Sequence, residues 1–173
     1  KDHKQINLIG RAIHKVAVDN GFSPIINLCG HGISKYVIHS GITIPNYDNN
    51  NTKILSNGAY AIEPFVTTGR GEIYEGAGSN IYRLEGRKAV RDMTARKILD
   101  FVEEEYKTLP FAARWIIDKF GDRARIALRL LERDNVLHHY PQLVEKSREN
   151  VAQSEHTMLI KKNGEVIVTT NQD

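Results

Sequence analysis

Cysteine is almost absent from this sequence: its one cysteine, Cys29, excludes a disulfide within the chain. A lone cysteine favours a reducing compartment, and we expect Cys29 to be a small packed residue rather than a reactive thiol. Long hydrophobic runs are absent as well, since none approaches the ~20 residues that a membrane-spanning helix needs. The first residues carry no secretory-signal pattern. Together these absences predict a cytoplasmic location.

The sequence also lacks a large excess of either charge sign. The 24 Lys and Arg residues nearly balance the 21 Asp and Glu residues, which gives a net charge of +3. No long Lys/Arg block occurs of the kind that nucleic-acid-binding proteins carry. A chain of 173 residues, 40% of them hydrophobic, is long enough to bury a sizeable core. We expect one ordinary domain with a small subdomain.

The hydrophobic pattern alternates between helical and strand periods, which predicts a mixed α/β (α+β) fold. In the first half it predicts a helix over residues 5–20, whose apolar face consists of Ile6, Ile9, Ile13, Val16 and Ala17. It then predicts short extended pieces over 25–45, one strand over 59–67, and β structure over 72–85 with a loop at 76–79.

From about residue 92 the period becomes helical. The pattern predicts three short helices, the last two over residues 111–120 and 123–133, then an extended segment over 136–141 and a return to β structure over 151–170 with Asn163-Gly164 as a hairpin turn. Three short helices followed by a strand resemble a winged-helix-like insert. We therefore expect a main domain over residues 1–95 and 149–173 and an insert over 96–148.

Two carboxylates lie beside apolar strands. Glu155 precedes an apolar stretch that ends at Ile160, and Glu63 follows another that begins at Ala59. A carboxylate among apolar neighbours is costly unless a cation or hydrogen bonds compensate it. For each acid alone, a structural ion pair explains the pattern better than a functional site does.

Two histidines strengthen the functional interpretation. His31 lies between Gly30 and Gly32, where the backbone can present an imidazole without crowding, and His39 ends a short apolar run. One imidazole and two carboxylates form a hard, oxygen-rich ligand set for divalent metals. Such ions lower the pKa of bound water and polarise a carbonyl, and a second histidine can hold the substrate.

The adjacent pair His138-His139 is a weaker candidate for a metal site. Neighbouring residues on a strand point to opposite faces, so we do not expect both to bind one ion. We interpret them as ordinary side chains or as the edge of a pocket.

Several of these motifs, taken together, resemble the type 2 methionine aminopeptidases. The segments that carry the resemblance are Asn27–Ile33, Tyr36–Gly41, Tyr60–Phe65, Thr68–Gly71, Leu109–Trp115, Tyr140-Pro141 and Ala152–Thr157. They occur in the family's order and cover nearly the whole chain.

The resemblance implies a pita-bread fold with a helical insert and a dinuclear metal site of two Asp, one His and two Glu. In this sequence His31, Glu63 and Glu155 match metal ligands, with Glu63 also assisting proton transfer. His39 matches a histidine that contacts the substrate near the scissile bond, and Tyr140 matches part of the methionine pocket. The two ions are divalent; imidazole and oxygen ligands alone do not choose among cobalt, manganese, iron, zinc and nickel.

The two Asp ligands of the family have no counterpart here. Asp2 and Asp19 flank the first helix, Asp48 lies in a polar turn, and the remaining aspartates, apart from Asp173, lie in or beside the insert. The family's other substrate-contacting histidine is missing too. The resemblance therefore implies the C-terminal portion of an enzyme, whose partner would be the missing N-terminal portion.

Three functions remain open at this point. The first is removal of the initiator methionine from nascent proteins, which retention of the three ligands and His39 favours. The second is a non-catalytic pita-bread protein that binds RNA or protein partners, and the third is a structural domain with ion-paired carboxylates. The insert holds 11 Lys and Arg against 9 Asp and Glu over residues 96–148, a net charge of +2 that gives a nucleic-acid partner little support.

Overall fold

The computed structural model describes residues 4–170, so Asp2 and His3 lie outside the described residues. The described chain divides into two compact units, one of residues 4–75 and 143–170 and the other of residues 76–142. Compactness alone does not define an inserted domain, and the insert over residues 96–148 stays a prediction.

The first unit contains one long helix and two antiparallel sheets. The helix is α1 (Ile6–Asp19). A five-stranded sheet has the order β11-β10-β4-β2-β3, with β2 Cys29–Ile33, β3 Thr43–Pro45, β4 Gly58–Ile62, β10 His156–Ile160 and β11 Val166–Val168. A three-stranded sheet has the order β1-β5-β9, with β1 Ser23–Pro24, β5 Phe65–Thr67 and β9 Val151–Gln153. The predicted first helix and the C-terminal hairpin are confirmed.

The buried face of α1 differs from the predicted one. Ile6 and Ala17 are buried as the spacing indicates, but Val16 is 64% exposed. Gly10 explains the difference, because a Cβ there would lie 2.1 Å from the carbonyl oxygen of Tyr47. The helix therefore packs most closely through the face that contains Gly10, and Val16 is turned toward solvent.

The prediction of one strand over residues 59–67 is wrong. The structure has two strands, β4 and β5, separated by Glu63 and Pro64. Pro64 has no N–H to donate to a ladder, and it can interrupt pairing where the chain changes sheets. The interruption leaves Glu63 at the end of β4, directly after its last paired residue, Ile62.

The second unit holds three helices and a sheet of order β7-β6-β8. The elements are β6 (Ile73–Leu84), α2 (Met93–Glu105), β7 (Phe111–Ala112), α3 (Ala113–Phe120), α4 (Arg123–Arg133) and β8 (Leu137–Glu145), of which β6 begins and β8 ends in the first unit. The predicted helix over 123–133 matches α4. The helix predicted from residue 111 begins at Ala113, because Phe111 and Ala112 pair with β6 instead.

The predicted loop at residues 76–79 is also wrong, since β6 continues through it without a break. The small residues there serve close packing. A Cβ on Gly78 would lie 2.4 Å from the ring of His139, whose ring stacks on Tyr82 with centroids 4.2 Å apart. A glycine that reads as a turn residue in the sequence is here an extended residue under an imidazole.

Each unit has its own core. In the second unit the helices α2–α4 bury a cluster that includes Ile98, Phe111, Ile116 and Leu131, and Asp92 caps α2 by accepting from the Ala95 N–H. In the first unit Ile6, Ile44, Leu55, Tyr60 and Ile160 form a smaller cluster. No helix within residues 4–170 has the length and apolar character needed to cross a membrane.

The motif Thr68–Gly71 surrounds a buried carboxylate. The side chain of Glu145 is only 3% exposed and accepts hydrogen bonds from the backbone N–H groups of Arg70, Ser147 and Glu149. Burial alone would raise the pKa of Glu145, but these N–H groups outweigh it and lower the pKa below its usual value. Gly69 leaves the space, because a Cβ there would lie 2.6 Å from the Glu145 carboxylate.

Candidate functional site

Strand register brings the predicted ligands together. In the β4–β10 ladder His156 is opposite Ile62, so Glu155 and Glu63 occupy the next opposed positions, just beyond the ends of the two strands. In the β2–β4 ladder His31 is opposite Ala61, and directly opposed residues share a face of a sheet. Since Glu63 lies two residues beyond Ala61, it emerges on the same face as His31.

His31 and Glu63 are in direct contact. The Nε2 atom of His31 lies 2.8 Å from Oε1 of Glu63, and both side chains are largely buried, at 14% and 12% exposure. The Nδ1 atom of His31 is 3.1 Å from the carbonyl oxygen of Gly32. A carbonyl can only accept, so Nδ1 carries the proton in that contact. Metal-binding histidines typically donate their second ring N–H in this way. Nε2, which here contacts Glu63, would be the ligand atom.

The glycines that flank His31 are required by neighbouring backbone. A Cβ on Gly30 would lie 2.3 Å from the carbonyl oxygen of Ala61, and one on Gly32 would lie 2.7 Å from that of Ser40. The sequence suggested that these glycines relieve crowding around the imidazole. The structure shows that they let β4 and the segment returning through Ser40 approach β2 closely.

His39 joins the same cluster from a loop. The chain leaves β2, turns at Tyr36, whose φ is +58°, and returns so that the Ser40 N–H donates to the carbonyl of Gly32. This path places the His39 ring at a centroid distance of 4.3 Å from that of His31, nearly perpendicular to it. The histidine predicted to contact substrate therefore lies beside the histidine predicted to bind metal.

Glu155 differs from its predicted environment. The pattern predicts apolar neighbours on an inner strand, but Glu155 lies between β9 and β10 and is exposed. The exposure arises because the described chain packs nothing over it. Glu155 nevertheless acts on Glu63 through its charge.

Gln153 is a member of the cluster that sequence reasoning missed. Its Nε2 lies 3.3 Å from Oε2 of Glu63 and 3.4 Å from Oε2 of Glu155. The one signal in the sequence is its position two residues before Glu155, which puts both side chains on one side of an extended segment.

The electrostatics of the cluster favour a cation. Burial raises the pKa of Glu63, the charge of Glu155 raises it further, and His31 and Gln153 only partly offset this. Burial also raises the pKa of the half-buried Cys29 thiol, with a smaller contribution from Glu63. A carboxylate whose pKa is raised by a neighbouring carboxylate is stabilised by a positive ion between the two.

The donor set and its spacing fit a divalent metal in part. The Nε2 atom of His31 and Oε1 of Glu63 lie side by side, 2.8 Å apart, and both are atom types that divalent metals accept as ligands. Within residues 4–170, however, no three His, Cys, Asp or Glu side chains are arranged around one point as a metal site requires. The described residues thus fit as contributors of ligands rather than as a complete coordination sphere.

Tyr140 lies in the second unit. Its ring meets that of His138 edge-on, with centroids 4.7 Å apart, while the ring of His139 contacts Tyr82 and Glu132. Burial raises the pKa of Tyr140, and Arg83 partly opposes this. The role of Tyr140 in a methionine pocket stays a prediction.

Comparison with solved structures defines the class of fold. A thermophilic Arx1 superposes with a TM-score of 0.75 over 98% of this chain and 47% of its own, at 20% identity. The methionine aminopeptidase of Thermotoga maritima superposes with a TM-score of 0.53 over 97% of this chain and 43% of its own, at 18% identity. The fold is the pita-bread fold, as the motifs predicted.

Comparison with known sequences is more specific. The methionine aminopeptidases of Pyrococcus abyssi and Methanocaldococcus jannaschii are 42% and 40% identical over 169 and 165 residues, or 96% and 95% of this chain. The predicted resemblance is confirmed, since the chain is similar in sequence to archaeal methionine aminopeptidases. It spans 57% and 55% of the length of these two relatives. No protein-family model matches the chain.

Proposed function

We propose that this chain forms part of a methionine aminopeptidase, in which His31, Glu63 and Glu155 bind two divalent ions together with ligands from sequence that the longer relatives have. The observation that carries the proposal is the cluster itself. Register sets the three side chains on one face, with His31 and Glu63 2.8 Å apart and one amide beside both carboxylates. A structural ion pair would need only two of these residues.

The residues of this chain have separate roles in that reaction. Bound divalent ions would supply an activated water and polarise the scissile carbonyl. Glu63, whose pKa is raised, would accept and return the proton during attack. His39, next to His31, would donate to the carbonyl oxygen as negative charge develops on it. Tyr140 keeps the role in binding methionine that the resemblance implies.

The substrate in this proposal is a peptide or nascent protein that begins with methionine, and the location is the cytoplasm. Metal identity is the least constrained part, because imidazole and carboxylate ligands accept several divalent ions.

The proposal predicts metal-dependent release of methionine. We expect the whole protein that contains this chain to release free methionine from the tripeptide Met-Ala-Ser after Mn²⁺ or Co²⁺ is added. Dialysis against EDTA should abolish the release, and adding metal again should restore it, because the bound ions would supply the activated water. Liberated methionine is measured by chromatography. The N-acetylated tripeptide is the control, and metal-independent release or no release with any divalent ion contradicts the proposal.

A non-catalytic role is the second candidate. The chain superposes on Arx1 with a higher TM-score than on the Thermotoga maritima aminopeptidase. At 20% identity that likeness concerns the fold alone. Presence of all three predicted ligands and of His39 in one cluster supports the peptidase instead. The EDTA experiment separates the two, since a non-catalytic protein releases no methionine under any condition.

His39 gives a further prediction within the site. His39→Ala is expected to reduce turnover by roughly 10²-fold, as loss of a positioned proton donor does, while leaving metal content nearly unchanged. Turnover is measured on Met-Ala-Ser, and metal content by elemental analysis of the dialysed protein. His14→Ala, at an exposed position of α1, is the matched control. Loss of metal from the His39 variant would mean that His39 is a ligand rather than a substrate contact.

A further inference from the structure

Two carboxylates that face each other at the ends of paired strands repel each other unless a hydrogen-bond donor or a cation lies between them. Glu63 already gives its Oε1 to His31. Its Oε2 and the Oε2 of Glu155 both face Gln153 Nε2, at 3.3 Å and 3.4 Å. A side-chain amide has two N–H bonds on one nitrogen, so a single glutamine can donate to both acids at once.

Only one orientation of the Gln153 amide makes this possible. With Nε2 toward the acids, each carboxylate accepts one hydrogen bond. The flipped amide would aim its carbonyl oxygen at two negative groups and would offer them no donor. The acids therefore dictate which way Gln153 points, and Gln153 in turn dictates which oxygen of each acid is held.

The backbone on both sides of this segment is fixed. Gln153 is the residue opposite Phe65 in the β5–β9 ladder, and the Ser154 N–H donates to the carbonyl of Pro64 at 3.1 Å. The amide therefore reaches the acids from a short strand whose partner is the strand that directly follows Glu63 and Pro64.

We propose that Gln153 is a positioning residue that ties Oε2 of Glu63 to Oε2 of Glu155, so that Oε1 of Glu63 stays directed to the place where His31 Nε2 binds metal. This rests on the proposed function, since it assigns Gln153 to the metal centre of that enzyme. Partners behind first ligands typically change metal affinity by about 10–100-fold when they are removed.

The test is a Co²⁺ titration of the whole protein, followed by visible absorption of the bound ion, whose spectrum reports coordination geometry. Gln153→Met keeps a similar length and removes both donors. We expect its Co²⁺ affinity to fall by about 10–100-fold, with a changed spectrum. Gln142→Met, at an exposed strand position of the second unit, is the matched control and should bind like the parent protein.

A second variant guards against a folding defect. Gln153→Lys supplies a positive donor between the acids, so we expect a higher melting temperature without metal, weaker Co²⁺ binding, and a smaller stabilisation by metal than in the parent. A Gln153→Met protein that binds Co²⁺ within twofold of the parent would overturn the inference. So would a Gln153→Lys protein that matches the parent in both stability and affinity.

The outcomes also separate this inference from the function beneath it. If the parent binds Co²⁺ and His31→Ala does not, the proposed metal centre holds, and only the Gln153 variants decide the role of the amide. If the parent fails to bind Co²⁺, the proposed function fails and the role of Gln153 fails with it.

Discussion

Replacing His31 with alanine is expected to lower turnover by about 10³-fold or more in the whole protein and to weaken binding of divalent metal. The imidazole is largely buried, and its Nδ1 faces the Gly32 carbonyl, so Nε2 is committed to the side of Glu63. Metal ions contribute several kcal/mol to hydrolysis, and each ~1.4 kcal/mol is a factor of ten in rate. The alanine side chain has no atom that can bind a metal in place of Nε2.

The measurement is turnover of Met-Ala-Ser at saturating Mn²⁺, together with a metal-binding titration. Glu155→Ala should lose both properties as well, because it removes the second carboxylate of the pair. His156→Ala is the control, since His156 is exposed and its Nδ1 contacts Thr170. Near-normal turnover of the His31 or Glu155 variant with metal saturating would contradict the assigned roles.

The second large effect concerns folding rather than catalysis. Gly69→Ala is expected to destabilise the protein by about 1–3 kcal/mol, because the new methyl group would overlap the buried Glu145 carboxylate at 2.6 Å. The free energy of unfolding is measured in urea. Gly86→Ala is the matched control, since a Cβ on Gly86 meets no atom within 4 Å.

A double mutant identifies the cause. If the clash is with Glu145, Gly69→Ala should cost less in the Glu145→Ala background than in the parent, because alanine lacks the carboxylate that the new methyl group would overlap. Additive effects of the two changes would contradict this explanation.

Glu145 also gives a pH dependence of a definite sign. Because the folded state lowers the pKa of Glu145, its stabilisation is complete above the unfolded pKa near ~4.3 and is lost as pH falls through the folded value. The stability difference between the parent and Glu145→Gln should therefore be largest near neutral pH and shrink in acid. A difference that grows on acidification would mean that the folded state raises this pKa.

Local patterns predict some elements well and others poorly. The predicted helix over residues 123–133 coincides with α4, because apolar spacing and flanking Gly121 and Asp134 are all local signals. The loop expected at residues 76–79 does not exist, because those small residues make room for the His139 ring. The local sequence pattern shows Gly78, but it does not show that His139 packs against this glycine.

The candidate site divides in the same way. Motif resemblance alone identifies His31, His39, Glu63 and Glu155, and the folded chain brings these four together. It misses Gln153, because a polar residue on a short exposed strand has no local feature that reveals two acceptors.

By itself the sequence determined the helical segments, the C-terminal hairpin and the candidate ligands, since spacing, turn residues and motifs lie within a few residues of one another. Only the tertiary structure decided that the predicted strand is interrupted at Pro64 and that Gln153 links two acids. It also decided that Gly69 makes room for the carboxylate of Glu145, 76 positions further along the chain. These features depend on strand register and backbone contact between distant segments. A local hydrophobic pattern does not encode which distant residues will meet.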